Sequence, residues 1–413
     1  MPLLRAQQIW ALFCFSSRIA LIQLARPTNA REPVPSNKGV HHMTSPLELR
    51  LMTAIRAETD PTQRAVYTAD LACYFARVGD FEVAEKLRTE LRNEFGDGRS
   101  LQVSVLIMTL EALLLYFKEL SPGARDRLLR AKLLCSAAKE NRLLGLVSAW
   151  LAHIDFNLEL YDEMSESIAT AINSLELDDG TTECRASLVI ADALMFCGES
   201  TAARAWYERA RVAANKIGDQ AAVGALTYNR AALRVAGIRI ANVRSPQIEA
   251  DFAFARSEMK SAINYQTVAG LKSLDHLLQS TRVGILMLEK NSTEALRTIE
   301  TIIDSGDVPK HLGSYYTLRA DRLVCLIQAG QLPAAKEQAL QLHSESLVRL
   351  SSDDRAICLS ALEELAHALG NDAEMEKFSC EKQLALQEHF TSTKRLREVL
   401  SPYMRMKGLQ KST

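Results

Sequence analysis

The stretch from Leu71 to Leu91, LACYFARVGDFEVAEKLRTEL, decides the fold that the sequence predicts. Its first half combines small residues with an aromatic residue, Phe75, at helical spacing. Gly79–Phe81 then interrupts the pattern with a glycine, which readily takes the left-handed conformation that ends a helix. Helical spacing resumes after this interruption, at Ala84. The stretch therefore predicts two helices joined by a tight turn.

Similar turns are predicted at regular intervals along the chain. The turns at positions 79, 119, 159 and 198 are about 40 residues apart, and so are those at 290, 330 and 370. The gap between positions 198 and 290 exceeds two such intervals by about twelve residues. We therefore expect one further pair of helices there, Ala225–Ala236 and Gln247–Tyr265. A non-helical insertion, Gly237–Pro246, is expected between them, with Arg239 and Arg244 as its basic tip.

The recurring pattern resembles the tetratricopeptide repeat, in which small residues and an aromatic residue flank a turn between two helices. Ala203 and Tyr207 follow one predicted turn, and Ala335 and Ala339 follow another. The period of 40 residues is longer than the usual repeat of about 34 residues. The resemblance implies an all-α, right-handed α-solenoid of about eight antiparallel helix pairs, in which small residues let neighbouring helices approach closely.

Three regions are expected: a flexible N-terminal segment at 1–45, a repeat superhelix at 46–395 with the insertion at 237–246, and a basic C-terminal tail at 396–413. The last helix is predicted to run through about Glu374–Leu400. Such an exit helix resembles those of bacterial signalling arrays, in which a repeat sensor feeds an output domain. No output domain follows before Thr413, so a stand-alone adaptor is the favoured expectation.

The charge of the chain is distributed unevenly. The net charge is −1, but residues 1–42 carry +4 and residues 394–413 carry +5, so the body between them carries −10. An acidic body repels the phosphate backbone of nucleic acids. We therefore expect no nucleic-acid binding by the body. The oligomeric state cannot be read from the sequence.

The location of the protein in the cell depends on its first residues. Residues 1–31 contain four arginines and no acidic residue, which fits an organelle presequence or a secretory signal. A third interpretation starts the native protein at Met43. The eight cysteines form no CxxC pair, which is typical of a reducing compartment and favours a cytoplasmic location. No uninterrupted apolar run reaches the roughly 18 to 20 residues of a spanning helix, so no membrane span is expected.

The sequence contains no motif that indicates an enzyme. Phosphate-binding loops, dinucleotide fingerprints and nucleophile elbows are all missing from it. Glu364 and His367 form one ExxH motif, but di-iron bundles need two. We therefore expect no catalytic residues, no cofactor and no metal.

The resemblance implies a concave groove lined by the first helix of each pair. Its predicted lining comprises Thr109, Tyr116, His153, Asn157, Asp192, Tyr228, Gln328, Glu364 and His367. Leu113 and Val324 share this register, and for each of these residues the alternative is a place in the core between repeats. Apolar, amide and aromatic groups suit an extended peptide or a partner helix. The predicted function is a non-catalytic adaptor for protein partners; the alternative is a regulatory sensor that binds a peptide or a small ligand.

Overall fold

Helices account for nearly all of the described chain. The computed structural model describes residues 44–119, 121, 123–244, 252–271, 275–305, 313–344 and 347–405. Within these ranges it contains 18 α-helices, one 3-10 helix (Leu347–Arg349) and no strand, which confirms the all-α prediction. The α-helices are α1 (Pro46–Ala57), α2 (Pro61–Val78), α3 (Phe81–Phe95), α4 (Leu101–Glu119), α5 (Gly123–Ala138), α6 (Asn141–Asn157), α7 (Tyr161–Asn173), α8 (Gly180–Phe196), α9 (Ser200–Ile217), α10 (Gln220–Arg244), α11 (Phe252–Ala269), α12 (Asp275–Leu288), α13 (Ser292–Ser305), α14 (Gly313–Gln328), α15 (Leu332–Ser344), α16 (Ser352–Ala368), α17 (Asp372–Val399) and α18 (Ser401–Met404).

Six of the seven predicted turns coincide with backbone in the left-handed region. Gly79 has a φ of 89°, and the glycines predicted at positions 198, 330 and 370 also have positive φ. Glu159 and Lys290 adopt the same region, with φ of 56° and 57°, although they carry side chains. The predicted turn at position 119 is the last residue of α4. Each even-numbered helix contacts the odd-numbered helix that follows it, from α2 with α3 to α16 with α17.

Alanines occupy the contacts between these helices, as the sequence predicts. Ala84, Ala203 and Ala335 are completely buried. Each even-numbered helix from α2 to α14 also contacts the next even-numbered helix. A methyl group at such a contact lets two helix axes approach to the short end of the usual range of about 8–10 Å.

Enlarging a buried contact alanine is expected to destabilise the fold. Ala203→Leu and Ala335→Leu should each lower the free energy of unfolding by about 1–3 kcal/mol, because the added carbons have no space. Ala205→Leu and Ala334→Leu are matched controls at exposed positions of the same helices, where about 0.5 kcal/mol or less is expected. Urea denaturation followed by circular dichroism measures all four. Equal stability of the buried and exposed variants would show that the assigned helix contacts are wrong.

The expected insertion is wrong for the residues that the structure describes. Residues 237–244 are helical and form the last turns of α10, which has 25 residues; positions 245 and 246 lie outside the described ranges. Ile240 is buried in one apolar cluster with residues of α14, α16 and α17. Arg239 pairs with Asp321 at 2.6 Å rather than forming a solvated loop tip. Tertiary packing therefore overrides the weak helix propensity that Gly237 and the β-branched residues give this segment.

Both ends of the described chain pack against its middle. Near the N-terminus, the Leu47 amide donates a hydrogen bond of 3.2 Å to the carbonyl oxygen of Gly218, in the turn between α9 and α10. Gly218 has a φ of 68°, and a Cβ there would lie 2.7 Å from the Pro46 Cβ, so both the turn and the contact require glycine. Near the C-terminus, the Trp206 indole donates a bond of 3.0 Å to the Tyr403 carbonyl oxygen.

The expected boundary at residue 396, between the repeat region and a C-terminal tail, is wrong. Residues 396–399 belong to α17 and residues 401–404 to α18. Leu396 and Leu400 are completely buried in a cluster with residues of α7, α8 and α9. Leu396 and Leu400 belong to an apolar stripe, and the basic residues of this segment flank it. Packing of this stripe against the body keeps the segment helical. Residues 1–43 and 406–413 lie outside the described ranges.

One helix is long and apolar enough to cross a membrane by length and composition. It is α4, over the window Leu101–Lys118, of which 56% is buried inside the fold. A core helix of a soluble protein passes the same test, so this is weak evidence for a span. The absence of a membrane span stays a prediction.

Candidate functional site

Three of the predicted groove residues meet in one hydrogen-bonded group. Tyr116 on α4 shares a hydrogen bond of 3.0 Å with Nε2 of His153 on α6. Asn157, one turn further along α6, donates to the Tyr116 hydroxyl at 3.3 Å and to the His153 carbonyl oxygen at 2.7 Å. The two helices thus present an amide, a hydroxyl and an imidazole to the same region. Among these three side chains, only that of Asn157 is exposed.

Asp192 on α8 belongs to a neighbouring buried group. Its carboxylate accepts a hydrogen bond of 2.7 Å from the Tyr207 hydroxyl and another of 2.7 Å from the Asn229 amide. Burial raises the pKa of Asp192 to about 7, and the two hydrogen bonds together with the nearby Arg185 oppose that rise. With this pKa, Asp192 is partly protonated near neutral pH. Tyr228, the residue before Asn229, shares a hydrogen bond of 3.4 Å with Thr281.

A buried arginine outside the predicted groove lining lies between these groups. Arg185 on α8 is only 6% exposed, and its guanidinium carbon lies 3.7 Å from the centre of the Trp150 ring. No hydrogen bond or ion pair of this guanidinium is found within the described part of the chain. Burial lowers the pKa of Arg185 to about 10, and repulsion from Arg77 acts in the same direction. Its cation therefore lies against an aromatic ring in a poorly solvated place, where Asp219 and Asp192 favour the charge without forming an ion pair with it.

The residues around the guanidinium offer hydrogen-bond donors to a guest. Burial, with a further contribution from Arg185, lowers the pKa of His153 to about 3, so its ring is neutral. The Nδ1 atom of that ring is buried and has no hydrogen-bond partner in the described structure. Arg185 also lies close enough to Tyr116 and Asp192 to influence their pKa values. We call Tyr116, Trp150, His153, Arg185 and Asp192 the Arg185 cluster.

Arg185 is not among the predicted site residues, but its surroundings in the sequence distinguish it. It is the only charged residue between Cys184 and Ile190, within a helix that is buried along most of its length. An arginine is rarely buried unless it is paired. A lone basic residue within an apolar helix is therefore the pattern that indicates such a site.

The remaining predicted residues lie elsewhere. Thr109 is buried, and its hydroxyl donates to the Val105 carbonyl oxygen of its own helix at 2.9 Å, so it faces no open groove. Gln328 accepts a hydrogen bond from Ser292 and also bonds to Glu364, whose pKa is raised by burial. His367 is exposed one turn along α16 from Glu364. These last three predicted residues form a second group, on α14 and α16.

The buried carboxylate predicts a dependence of stability on pH. The folded-state pKa of Asp192, about 7, lies above its ordinary value of 3.8, so the fold binds a proton that the unfolded chain releases. The free energy of unfolding should fall as pH rises from about 4 to 7. Asp192→Asn keeps the shape and should flatten this fall, as measured by urea denaturation at several pH values. Asp162→Asn, at an exposed position, is the control that should leave the profile unchanged. Identical profiles for Asp192→Asn and the unmodified protein would contradict the raised pKa.

Side chains suited to a metal are not grouped in this region. Across the described ranges, no set of three or more His, Cys, Asp or Glu side chains is placed to hold a metal ion. The Arg185 cluster instead combines a cation with the neutral hydrogen-bonding groups of Tyr116 and His153 and with a partly protonated Asp192. A cation beside hydrogen-bond donors suits an anion. The chain matches no protein-family model, and comparison with curated protein sequences finds no match.

Proposed function

We propose that the protein is a non-catalytic regulatory sensor that binds a small organic anion at the Arg185 cluster. We also propose that its helices form a right-handed, tetratricopeptide-like solenoid of eight antiparallel pairs. The even-to-odd and even-to-even helix contacts support the solenoid, as does the spacing of about 40 residues between turns. The observation that carries the functional proposal is the buried guanidinium of Arg185, which has no carboxylate partner in the described structure.

The energetic argument concerns the cost of a buried charge. An ion held out of water costs several kcal/mol unless an opposite charge and hydrogen bonds compensate it. Two carboxylates favour the charge of Arg185, but both are engaged elsewhere. Asp219 is paired with Arg77, and Asp192 is bonded to Tyr207 and Asn229 and is partly protonated. An anionic guest would supply the missing charge and could accept hydrogen bonds from the guanidinium and from a neutral His153 ring. A carboxylate suits the planar fork of an arginine especially well.

The geometry favours a small guest over a long peptide. Helix α10 contacts α2 near the start of the array and α16 near its end. The helix that would line the middle of a groove therefore also touches helices from both ends of the array. Desolvation is the main cause of the pKa shifts of Tyr116, His153 and Tyr228, and all three residues are half-buried. A guest bound among α4, α6 and α8 would stabilise their mutual packing, and a shift in that packing can be transmitted to a partner protein.

A second candidate is the adaptor, which binds a peptide or a partner helix. The observation in its favour is the second group of predicted residues: Gln328 and His367 are exposed on α14 and α16, beside a half-buried Glu364. An amide, an imidazole and a carboxylate on adjoining helices can bond the backbone of an extended peptide.

Thermal unfolding with succinate distinguishes the two candidates. Succinate should raise the Tm of the full chain in proportion to the logarithm of its concentration, because it binds only the folded state. Succinamide, its neutral analogue, and sodium chloride at matched ionic strength should not. Arg185→Gln should abolish the rise, while Arg211→Gln, an exposed arginine paired with Glu208, should preserve it. Inorganic phosphate is the second anion to test. A Tm insensitive to both anions would refute the sensor proposal.

The adaptor makes a different prediction. Selection from a random peptide library should yield peptides whose binding is weakened by Gln328→Ala or Glu364→Ala. Tyr116→Ala with Tyr228→Ala, which alters the predicted groove lining, should weaken binding while helicity stays intact. Peptides that bind all these variants equally would place the binding surface elsewhere.

A further inference from the structure

A cavity lies where the C-terminal helix meets the middle of the fold, away from the residues of the Arg185 cluster. Its volume is about 620 Å³, within the range of about 300–1,000 Å³ that is usual for small-molecule sites. The end of α8, the last turns of α10 and the C-terminal part of α17 line it. The lining residues are Phe196, Cys197, Gly198, Gly237, Ile240, Ala241, Arg244, His389, Phe390, Thr393 and Arg397. We call this space the junction cavity.

The charged groups of the junction cavity are all basic. Arg244 and Arg397 line it, whereas no aspartate or glutamate does. Arg397 is paired with Glu199 at 2.8 Å. Arg244 lies with its guanidinium carbon 4.9 Å from the centre of the Phe390 ring, and no ion pair of Arg244 occurs in the part of the chain that the structure describes. The cavity therefore attracts a negative charge, and Arg244 is available to bind it.

A buried histidine provides a second polar group. His389 is 8% exposed, and its ring lies between those of Phe196 and Phe390, with both ring centres 5.6 Å away. Its ring nitrogens make no hydrogen bond among the described residues. A polar side chain buried to this degree normally has a partner. A guest in the cavity would provide one.

The other walls of the junction cavity are apolar. Phe196, Phe390 and Ile240 present two aromatic rings and a branched side chain to it. Aromatic side chains favour edge-to-face or offset contacts with a further ring. A guest with an apolar body and an anionic end would therefore bury its body against these three residues and place its charge at Arg244.

We infer that the junction cavity is a second ligand site, which binds a small carboxylate with an aromatic or branched apolar body. Arg244 binds the carboxylate, His389 hydrogen-bonds a polar atom of the ligand, and the aromatic rings enclose the body. The site bridges α8, α10 and α17, so its ligand strengthens the packing of the C-terminal helix against the body. This inference uses none of the residues on which the proposed function rests.

Gly237 gives direct experimental access to the junction cavity. It lies within α10, and a Cβ built on it would meet no atom within 4 Å. A phenyl ring introduced by Gly237→Phe can therefore enter the cavity and occupy the space of a ligand. Gly237→Ala is the matched control, because it adds only a methyl group at the same helical position.

The test uses 1-naphthylacetate as the probe and its neutral analogue, 1-naphthylacetamide, for comparison. Isothermal titration of the full chain should show binding of the acid that is about tenfold or more tighter than that of the amide, because a charged hydrogen bond is lost. Arg244→Gln should weaken acid binding by a similar factor, and Gly237→Phe should abolish it. Gly237→Ala and Arg185→Gln should bind the acid as the unmodified protein does.

Each alternative result overturns the inference. Equal affinity for acid and amide, or an Arg244→Gln variant with unchanged affinity, would show that no anion is recognised there. Binding that survives Gly237→Phe would place the probe at another site. Circular dichroism and Tm establish that each variant is folded. Because Arg185→Gln is included, a failure of this site is distinguishable from a failure of the proposed sensor site.

Discussion

Asp219→Ala is expected to lower the free energy of unfolding by about 3–5 kcal/mol, a large fraction of the total stability of an ordinary domain. Asp219 is 2% exposed and pairs with Arg77 at 2.6 Å; the side chain of Arg77 is 10% exposed. Its carboxylate also accepts a hydrogen bond of 3.0 Å from the Ala222 amide in the first turn of α10. Alanine removes both contacts and takes the counter-charge away from a buried guanidinium, which is the costly way to break an ion pair.

Chemical denaturation of matched variants measures this effect. Asp178→Ala is the control, because Asp178 also pairs with a basic residue, Lys216, but at an exposed surface where about 0–1 kcal/mol is expected. Arg77→Ala should be similarly destabilising, and the double variant should lose less than the sum of the two single losses. A loss below about 1 kcal/mol for Asp219→Ala would mean that this pair does not hold α2 against α10.

Arg185→Met is expected to make the protein more stable in the absence of any ligand. The pKa of Arg185 is lowered from 12.5 to about 10 in the fold, so burial disfavours its charged form. Because the folded pKa lies below the unfolded value, this cost is present at every pH below about 10 and disappears only above the ordinary pKa. The shift corresponds to about 3 kcal/mol at neutral pH. Loss of the stack on Trp150 offsets part of the gain, so a net increase of about 1–3 kcal/mol is expected.

Urea denaturation and the succinate response together decide the role of Arg185. The control is Arg209→Met: Arg209 also lies over a tryptophan ring, that of Trp206, but it pairs with Glu183 at 2.7 Å. That variant should gain no stability. Arg185→Met should be both more stable and insensitive to succinate, the combination expected when a binding site is kept at the expense of stability. A destabilised Arg185→Met variant would show that the arginine serves the fold rather than a ligand.

Local pattern in the sequence determined the helices and their turns. Glycine at positions 79, 198, 330 and 370 predicts a helix end because it adopts positive φ without steric cost, and all four have positive φ. The alanines at positions 84, 203 and 335 predict close helix contacts, and all three are completely buried. Such signals involve neighbours a few residues apart, so they can be recognised before the chain is folded.

The candidate sites depend on contacts between distant parts of the chain. Tyr116, His153 and Asn157 share the predicted register, but their hydrogen bonds depend on how α4 and α6 pack. The segment at 237–244 is helical because Ile240 and Arg239 find partners on α14 and beyond. The spacing of residues along the sequence does not reveal which distant residues become partners or how far apart they lie in the fold.

The sequence by itself therefore determined the all-α class, the turn positions and the small residues at the helix contacts. Only the tertiary structure decided that the C-terminal helices pack against the middle of the chain, as the bond from Trp206 to Tyr403 shows across 197 positions. It also decided that Arg185 is buried without a carboxylate partner in the described structure. The physical reason is that helix ends follow from local backbone preference, whereas the burial and pairing of a charge depend on which distant helices surround it.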